Sequence, residues 1–291
     1  MVHTKKVFIY PNPTRENTIK SLPEILDFLL GEGFSINMEK TYAESLMAEY
    51  PIVSFMDIGD AMQSSDFVLV VGGDGTILHI APLAAYFDKP VLGINLGTLG
   101  FLSELDANAL ELIKNVGGDD YALDDSLLLN VTVKDSTGSI SFSATGLNDA
   151  AVMKGDISKI AKLKVFVNGK KVMGFSGDGV VVCTPTGSTA YSLSAGGPII
   201  EPTSSCIAVT PVCPHSLGIK SFVVSSDREI EITAPDQDNT IQLSVDGYQN
   251  VRIEPGQSIV IRQSPKMLSL IRLRGIGFYE RINQKLSIER I

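Results

Sequence analysis

At 291 residues the chain is long enough for two domains, each with its own hydrophobic core. Hydrophobic residues make up 44% and charged residues 20%, without any low-complexity tract, which excludes a disordered or fibrous chain. The net charge of −9 argues against nucleic acid or an anionic membrane as the main partner, so a phosphate-bearing ligand would need local backbone donors and a divalent metal.

The opening residues, Met1 to Lys6, carry no long apolar run of a leader peptide, and no stretch approaches membrane-spanning length; a cytoplasmic protein is the simplest expectation. Cys183, Cys206 and Cys213 are odd in number and fit no metal spacing, so they read as buried free thiols of a reducing compartment. Lys6 to Tyr10 is a short apolar strand closed by Pro11-Asn12-Pro13. Glu16 to Leu30 then shows a helical face of Ile19, Leu22, Ile25, Leu26, Leu29 and Leu30, although Pro23 argues for a later start. Phe34 to Met38 reads as a strand and Tyr42 to Glu49 as a short helix. Phe67 to Val71, five apolar residues in a row, reads as a fully buried parallel strand. A helix to about Phe87, a strand at Pro90 to Asn95 and a helix at Ala107 to Val116 follow. The alternation predicts a Rossmann-like, doubly wound parallel sheet.

The texture changes near Tyr121. From Leu127 onward come short period-2 runs, such as Leu129 to Val133, Leu163 to Val167 and Ile241 to Val245. Turn pairs Asn168-Gly169, Asp246-Gly247 and Pro255-Gly256 punctuate them, which is the signature of antiparallel sheet. The expected architecture is therefore an α/β domain over residues 1–122 and an all-β domain over 123–275. Residues 276–291, less regular in pattern, are expected to return to the first domain.

The chemistry concentrates at Gly72-Gly73-Asp74-Gly75-Thr76, directly after the buried strand. At the carboxyl end of a strand, glycines let a phosphate approach backbone N–H groups, and a helix N-terminus favours an anion. Asp74 would repel that phosphate unless it holds a metal ion or accepts a proton. The run is neither a P-loop nor Gly-x-Gly-x-x-Gly, and a plain acidic turn at a helix start remains an alternative. A second glycine loop, Gly97-Thr98-Leu99-Gly100, follows the next strand. Asn148-Asp149 suits ribose hydroxyls or an amide, with a simple turn as the alternative. Thr184-Pro185-Thr186-Gly187-Ser188-Thr189-Ala190-Tyr191 offers small hydroxyl donors and a flat ring for a base. Serine-nucleophile chemistry is disfavoured because Gly-x-Ser-x-Gly is absent and the chain has three histidines.

Together these runs, with Leu147-Asn148-Asp149, Asp178-Gly179, Pro214-His215-Ser216-Leu217 and Tyr279-Glu280-Arg281 in the same order, resemble the NAD kinase family over nearly the whole chain. The resemblance implies ATP-dependent transfer of a phosphoryl group to the adenosine 2′-hydroxyl of NAD, with a divalent metal such as Mg²⁺, in a homodimer or homotetramer. It implies Asp74 as general base, with Gly72, Gly73, Gly75 and Thr76 as the phosphate loop. It implies NAD contacts from Asp74, Gly75, His79, Phe101, Asn148, Asp149, Lys159, Asp178, Thr186, Thr189, Ala190, Tyr191 and Ser194, and assigns no metal ligand. Asp149 stands where relatives commonly have glutamate, and Tyr248 is inserted where they often read Asp-Gly-Gln. A lipid or sugar kinase sharing the glycine loop, and a non-enzymatic NAD sensor, are the competing readings; polyphosphate is an alternative donor.

Overall fold

The structure is a computed structural model that describes residues 5–97, 100–235, 240–275 and 277–286. The chain divides into two compact units: residues up to Asp125 with those from Leu268 onward, and Ser126–Met267. The change of texture near residue 122 falls at the start of a long strand, Ala122–Lys134.

The first unit alternates strand and helix through β1 (Lys6–Pro11), α1 (Glu16–Gly31), β2 (Ser35–Glu39), α2 (Ala43–Leu46), β3 (Ser54–Met56) and α3 (Ile58–Ser64). It continues with β4 (Phe67–Val71), α4 (Asp74–Tyr86), β5 (Val91–Asn95), β6 (Leu105–Asp106) and α5 (Lys114–Gly117). The strands lie in the order β3-β2-β1-β4-β5, and each of these neighbours pairs in parallel. β4 and β5 are buried along their whole length, as continuous apolar runs demand. The strand order reverses direction between β1 and β4. That switch point opens a crevice beyond the carboxyl ends of both strands, where α/β sheets bind ligands.

Several local expectations are corrected. Pro23 lies inside α1, which begins at Glu16 after all. The carbonyl that Pro23 leaves without a partner belongs to Ile19, which is 42% exposed on the solvent side; the buried stripe is Thr18, Leu22, Ile25, Leu26 and Leu29. The segment expected to be one helix from Ala107 is a 3₁₀ stretch, Ala107–Ile113, kinked at Ala109 before α5. Asp106 caps the start of that stretch, accepting from the Asn108 N–H at 3.0 Å. β3 and α3 are too short to announce themselves by period. The C-terminal segment, expected to be irregular, forms a helix, Phe278–Leu286, with Arg281 and Ile282 buried in the first unit.

The second unit is built of β7 (Ala122–Lys134), β8 (Ile140–Gly146), β9 (Asp149–Lys154), β10 (Ala161–Val167), β11 (Lys170–Gly177) and β12 (Gly179–Cys183). After them come the single turn α6 (Tyr191–Ser194), β13 (Cys206–Val212), β14 (Phe222–Ser225), β15 (Ile230–Thr233), β16 (Ile241–Val245), β17 (Gln249–Ile253) and β18 (Ser258–Arg272). The helix Phe278–Leu286 is α7. One six-stranded antiparallel sheet runs β14-β13-β12-β9-β16-β17. β11, β10, β15 and the first half of β18 pair antiparallel in a second sheet. Leu129, Val131, Leu163, Ile232, Val152, Val180 and Leu243 from both sheets form one fully buried core. Asn168-Gly169 closes a two-residue hairpin with φ of 48° and 73°. Asp246-Gly247, at 52° and 76°, opens a three-residue turn because Tyr248 is included before Gln249 pairs with Val245. Cys183 is buried, and burial pushes its thiol up to about 11. Cys213 corrects the expectation of buried thiols, since it is exposed.

Candidate active site

β4 delivers Gly72 and Gly73 to the switch point, and α4 starts at once with Gly73 as its N-cap. An open cleft of about 340 Å³ lies there, lined by Arg15, Asn17, Thr18, Gly72, Leu96 and Gly97. The Thr76 N–H is spent on the Gly73 carbonyl at 2.9 Å, so the N-terminus of α4 at Asp74 and Gly75 and the Arg15 guanidinium beside Gly73 are what this corner, which Glu16 also lines, could offer an anion. Asn12, the first residue after β1, donates from Nδ2 to Thr76 Oγ1 at 2.9 Å and ties the two strand ends together. The sequence reading does not single out Asn12 or Arg15. Their signal is positional: polar residues just beyond a buried strand become informative once the strand order is known.

Asp74 does not point freely into the cleft. Its Oδ2 accepts from the Phe101 N–H at 2.7 Å, and its Oδ1 accepts from the Ser103 N–H at 3.1 Å and Ser103 Oγ at 2.7 Å. A Cβ at position 100 would fall 1.9 Å from Asp74 Oδ1, so glycine is required for the carboxylate to nest in this bend. The second glycine loop thus meets the first through Asp74, although Thr98 and Leu99 lie outside the described residues. Gly75 and His79, four residues apart, share the exposed face of α4, whereas Thr76, Ile77 and Ile80 are buried. Phe101 is half-buried.

In the second unit Asn148, Asp149, Ala190 and Tyr191 come together with Met153 and Asp246 around an open cleft of about 370 Å³. Asp246 organises one wall. Its left-handed backbone aims the carboxylate at the Leu147, Asn148 and Asp149 N–H groups, which donate at 2.7, 2.8 and 3.0 Å. The Thr184–Tyr191 run supplies the other wall. Thr184 Oγ1 donates to the Leu147 carbonyl at 2.6 Å, and the Thr184 N–H donates to the Asn148 carbonyl at 2.9 Å. Thr186 and Thr189 lie in a 3₁₀ turn, and Thr186 Oγ1 is buried without a hydrogen-bond partner. Tyr191 is 40% exposed, its ring presented at the cleft with its hydroxyl 3.8 Å from Met153 Sδ. Asp178 pairs with Lys154 at 2.7 Å, and the Lys154 ammonium holds its carboxyl below the usual range. Ser194 and Lys159 are exposed, the latter in the turn after β9.

Asp149 is the electrostatically unusual group. It is buried, and burial together with the Asp246 charge pushes its carboxyl up to about 7. A carboxyl raised above its unfolded value favours the neutral form in the fold. Its stabilisation is therefore present at low pH and is lost as pH rises through about 7. Asp149→Asn should flatten the fall in unfolding free energy between about pH 4 and pH 7, as read by urea titration of both proteins. Parallel pH profiles for the two would show that Asp149 is ionised throughout.

An α/β unit with a cleft at its switch point and an all-β unit with a cleft of its own define a two-domain protein with two candidate ligand sites. Residues 7–121 match the ATP-NAD kinase N-terminal domain and residues 147–273 match the ATP-NAD kinase C-terminal domain. The NAD kinase of Caldanaerobacter subterraneus subsp. tengcongensis is 36% identical over 285 residues, covering 97% of this chain and 99% of that one. That of Carboxydothermus hydrogenoformans is 39% identical over 261 residues, 89% of each. Yeast NADH kinase, solved with NADH, superposes with a TM-score of 0.89 at 26% identity, covering 99% of this chain and 89% of that one. An NAD kinase from Archaeoglobus fulgidus, solved with ATP, shares the fold with a TM-score of 0.68 at 24% identity over 97% of each chain. The chain belongs to the NAD kinase family. Both halves match it, so the lipid or sugar kinase alternative is set aside. Among the described residues no helix is long and apolar enough to cross a membrane.

Proposed function

We propose that this NAD kinase uses Asp74 to take the proton from the adenosine 2′-hydroxyl of NAD as that oxygen attacks the terminal phosphoryl group of ATP. The observation that carries the reading is the Asp74 carboxylate, fixed by Phe101 and Ser103 at the N-terminus of α4, on the switch point of the sheet. A ribose hydroxyl is a poor nucleophile, and a positioned carboxylate lowers the barrier by accepting its proton. The backbone at Gly73 and Gly75 and the Arg15 guanidinium would hold the phosphates, offsetting charge that develops in transfer, while the Gly72 and Thr76 N–H groups, given to the Ile94 and Gly73 carbonyls, would shape the loop. The description of the matched family as ATP-NAD kinase supports ATP as donor.

Asn148, Asp149, Ala190 and Tyr191 would hold parts of NAD by hydrogen bonding and ring stacking, which their shared cleft supports. Phe101, His79, Gly75, Lys159, Asp178, Thr186, Thr189 and Ser194 are assigned to NAD by the family resemblance. Among the described residues no three His, Cys, Asp or Glu side chains gather to hold a metal ion, and a divalent metal such as Mg²⁺ is part of the proposal as a partner of the nucleotide. When bound, that ion would supply charge neutralisation during phosphoryl transfer. A cytoplasmic homodimer or homotetramer is part of the same proposal and is checked by light scattering.

The test is direct. The purified protein with ATP, Mg²⁺ and NAD should form NADP, with NADH and inorganic polyphosphate run in parallel as alternative acceptor and donor. Binding of NAD without NADP in any arm would make the protein a dinucleotide sensor and end the proposal.

A further inference from the structure

The bend that holds Asp74 is itself held from behind. Ser103 is fully buried, and its carbonyl accepts from Arg281 Nη1 of α7 at 2.9 Å. The preceding carbonyl, Leu102, accepts from Arg272 Nη1 at 3.2 Å. Glu104, 1% exposed, sits between the two cations: its carboxylate accepts from Arg281 Nη2 and from Arg272 Nη1, and also from the Leu273 and Arg274 N–H groups. On the other side the Glu104 N–H donates to the Gly93 carbonyl of β5 at 2.9 Å. Three consecutive residues are thus pinned at their backbone, and the middle one supplies both donors to Asp74 Oδ1.

We propose that Arg281 is a positioning residue for phosphoryl transfer, acting on Asp74 through the backbone of Ser103. The inference rests on the reading of Asp74 as proton acceptor. An arginine suits the task because its planar fork engages a carbonyl and a carboxylate together, which the single ammonium of lysine cannot reproduce in the same geometry. The Ser103 carbonyl and N–H belong to adjoining peptide groups, so rotating one about the backbone moves the other. A carboxylate displaced by a fraction of an ångström loses alignment with the attacking hydroxyl while substrate binding elsewhere persists.

The experiment compares Arg281→Lys, Ser103→Ala, the double variant and Asp74→Asn in NADP formation, with thermal melting of each. Arg281→Lys should lower kcat by about tenfold or more while KM for NAD and ATP stays within about twofold. The double variant should be scarcely slower than the worse single one, because both act on the same carboxylate. Glu104→Gln combined with Arg281→Gln removes both buried charges, and serves if the single replacement does not fold; it should show the same split between kcat and KM. An unchanged kcat, a kcat loss that tracks the unfolded fraction, or fully multiplicative effects in the double variant would overturn the inference. Should Asp74→Asn itself turn over normally, the failure lies with the proton-acceptor reading; normal turnover of Arg281→Lys beside an inactive Asp74→Asn rejects Arg281 alone.

Discussion

Asp74→Asn should reduce kcat by about 10²- to 10⁴-fold with NAD binding close to that of the unchanged protein. The amide matches the carboxylate in size, so the bend around Gly100 that needs room for this side chain is not disturbed. Its carbonyl can still accept both donors of Ser103. Its NH₂, however, then faces the Phe101 N–H, a donor set against a donor, at a local cost of about 1–2 kcal/mol. A small fall in melting temperature is therefore expected alongside a large loss of turnover. The measurements are initial rates of NADP formation, NAD titration by calorimetry and a melting curve. Turnover near that of the unchanged protein would remove Asp74 from the chemistry.

Gly187→Ala should damage the other cleft without touching Asp74. A Cβ there would fall 2.0 Å from the backbone carbonyl oxygen of Asn148 and 2.6 Å from its Cα. Backbone cannot yield as a side-chain tip does, so the Thr184–Thr189 turn must move away from Asn148. Two hydrogen bonds hold those segments together, from Thr184 Oγ1 to Leu147 and from the Thr184 N–H to Asn148. Overpacking of this kind costs on the order of 3 kcal/mol, or a fall in Tm on the order of 10 °C. In the fraction that remains folded, KM for NAD should rise at least about tenfold while KM for ATP changes little. Equal KM values for NAD in the two proteins would show that the contact between these segments does not shape the NAD site.

The sheet of the first unit was legible because buried parallel strands are continuous apolar runs, as at Phe67 to Val71, and because glycines mark the turns between strand and helix. The second unit declared itself through period-2 alternation and pairs such as Asn168-Gly169. What escaped the sequence was what depends on strand order and long-range pairing. Asn12 and Arg15 are ordinary polar residues until β1 is known to lie beside β4. Asp246 reads as one half of a hairpin turn, yet its carboxylate orders the N–H groups of a segment far away in sequence. Ser103 and Glu104 carry no local signature, and Arg281 stands in the Tyr279-Glu280-Arg281 run with nothing to show its partners, because buried ion pairs form between residues whose proximity only the tertiary fold creates. Pro23 misled in the opposite sense: the rule against proline inside a helix weakens where solvent can replace the missing bond.

The discontinuous first unit has a consequence for synthesis on the ribosome. Val91 of β5 takes Leu270 as a parallel neighbour, and Ser103 takes Arg281. A nascent chain that has just completed the glycine loop must therefore wait for all of Ser126–Met267 to emerge before its first unit can close. The second unit, made of contiguous chain, can fold while that wait lasts. Vectorial translation thus delays the final placement of Asp74 until α7 has left the exit tunnel.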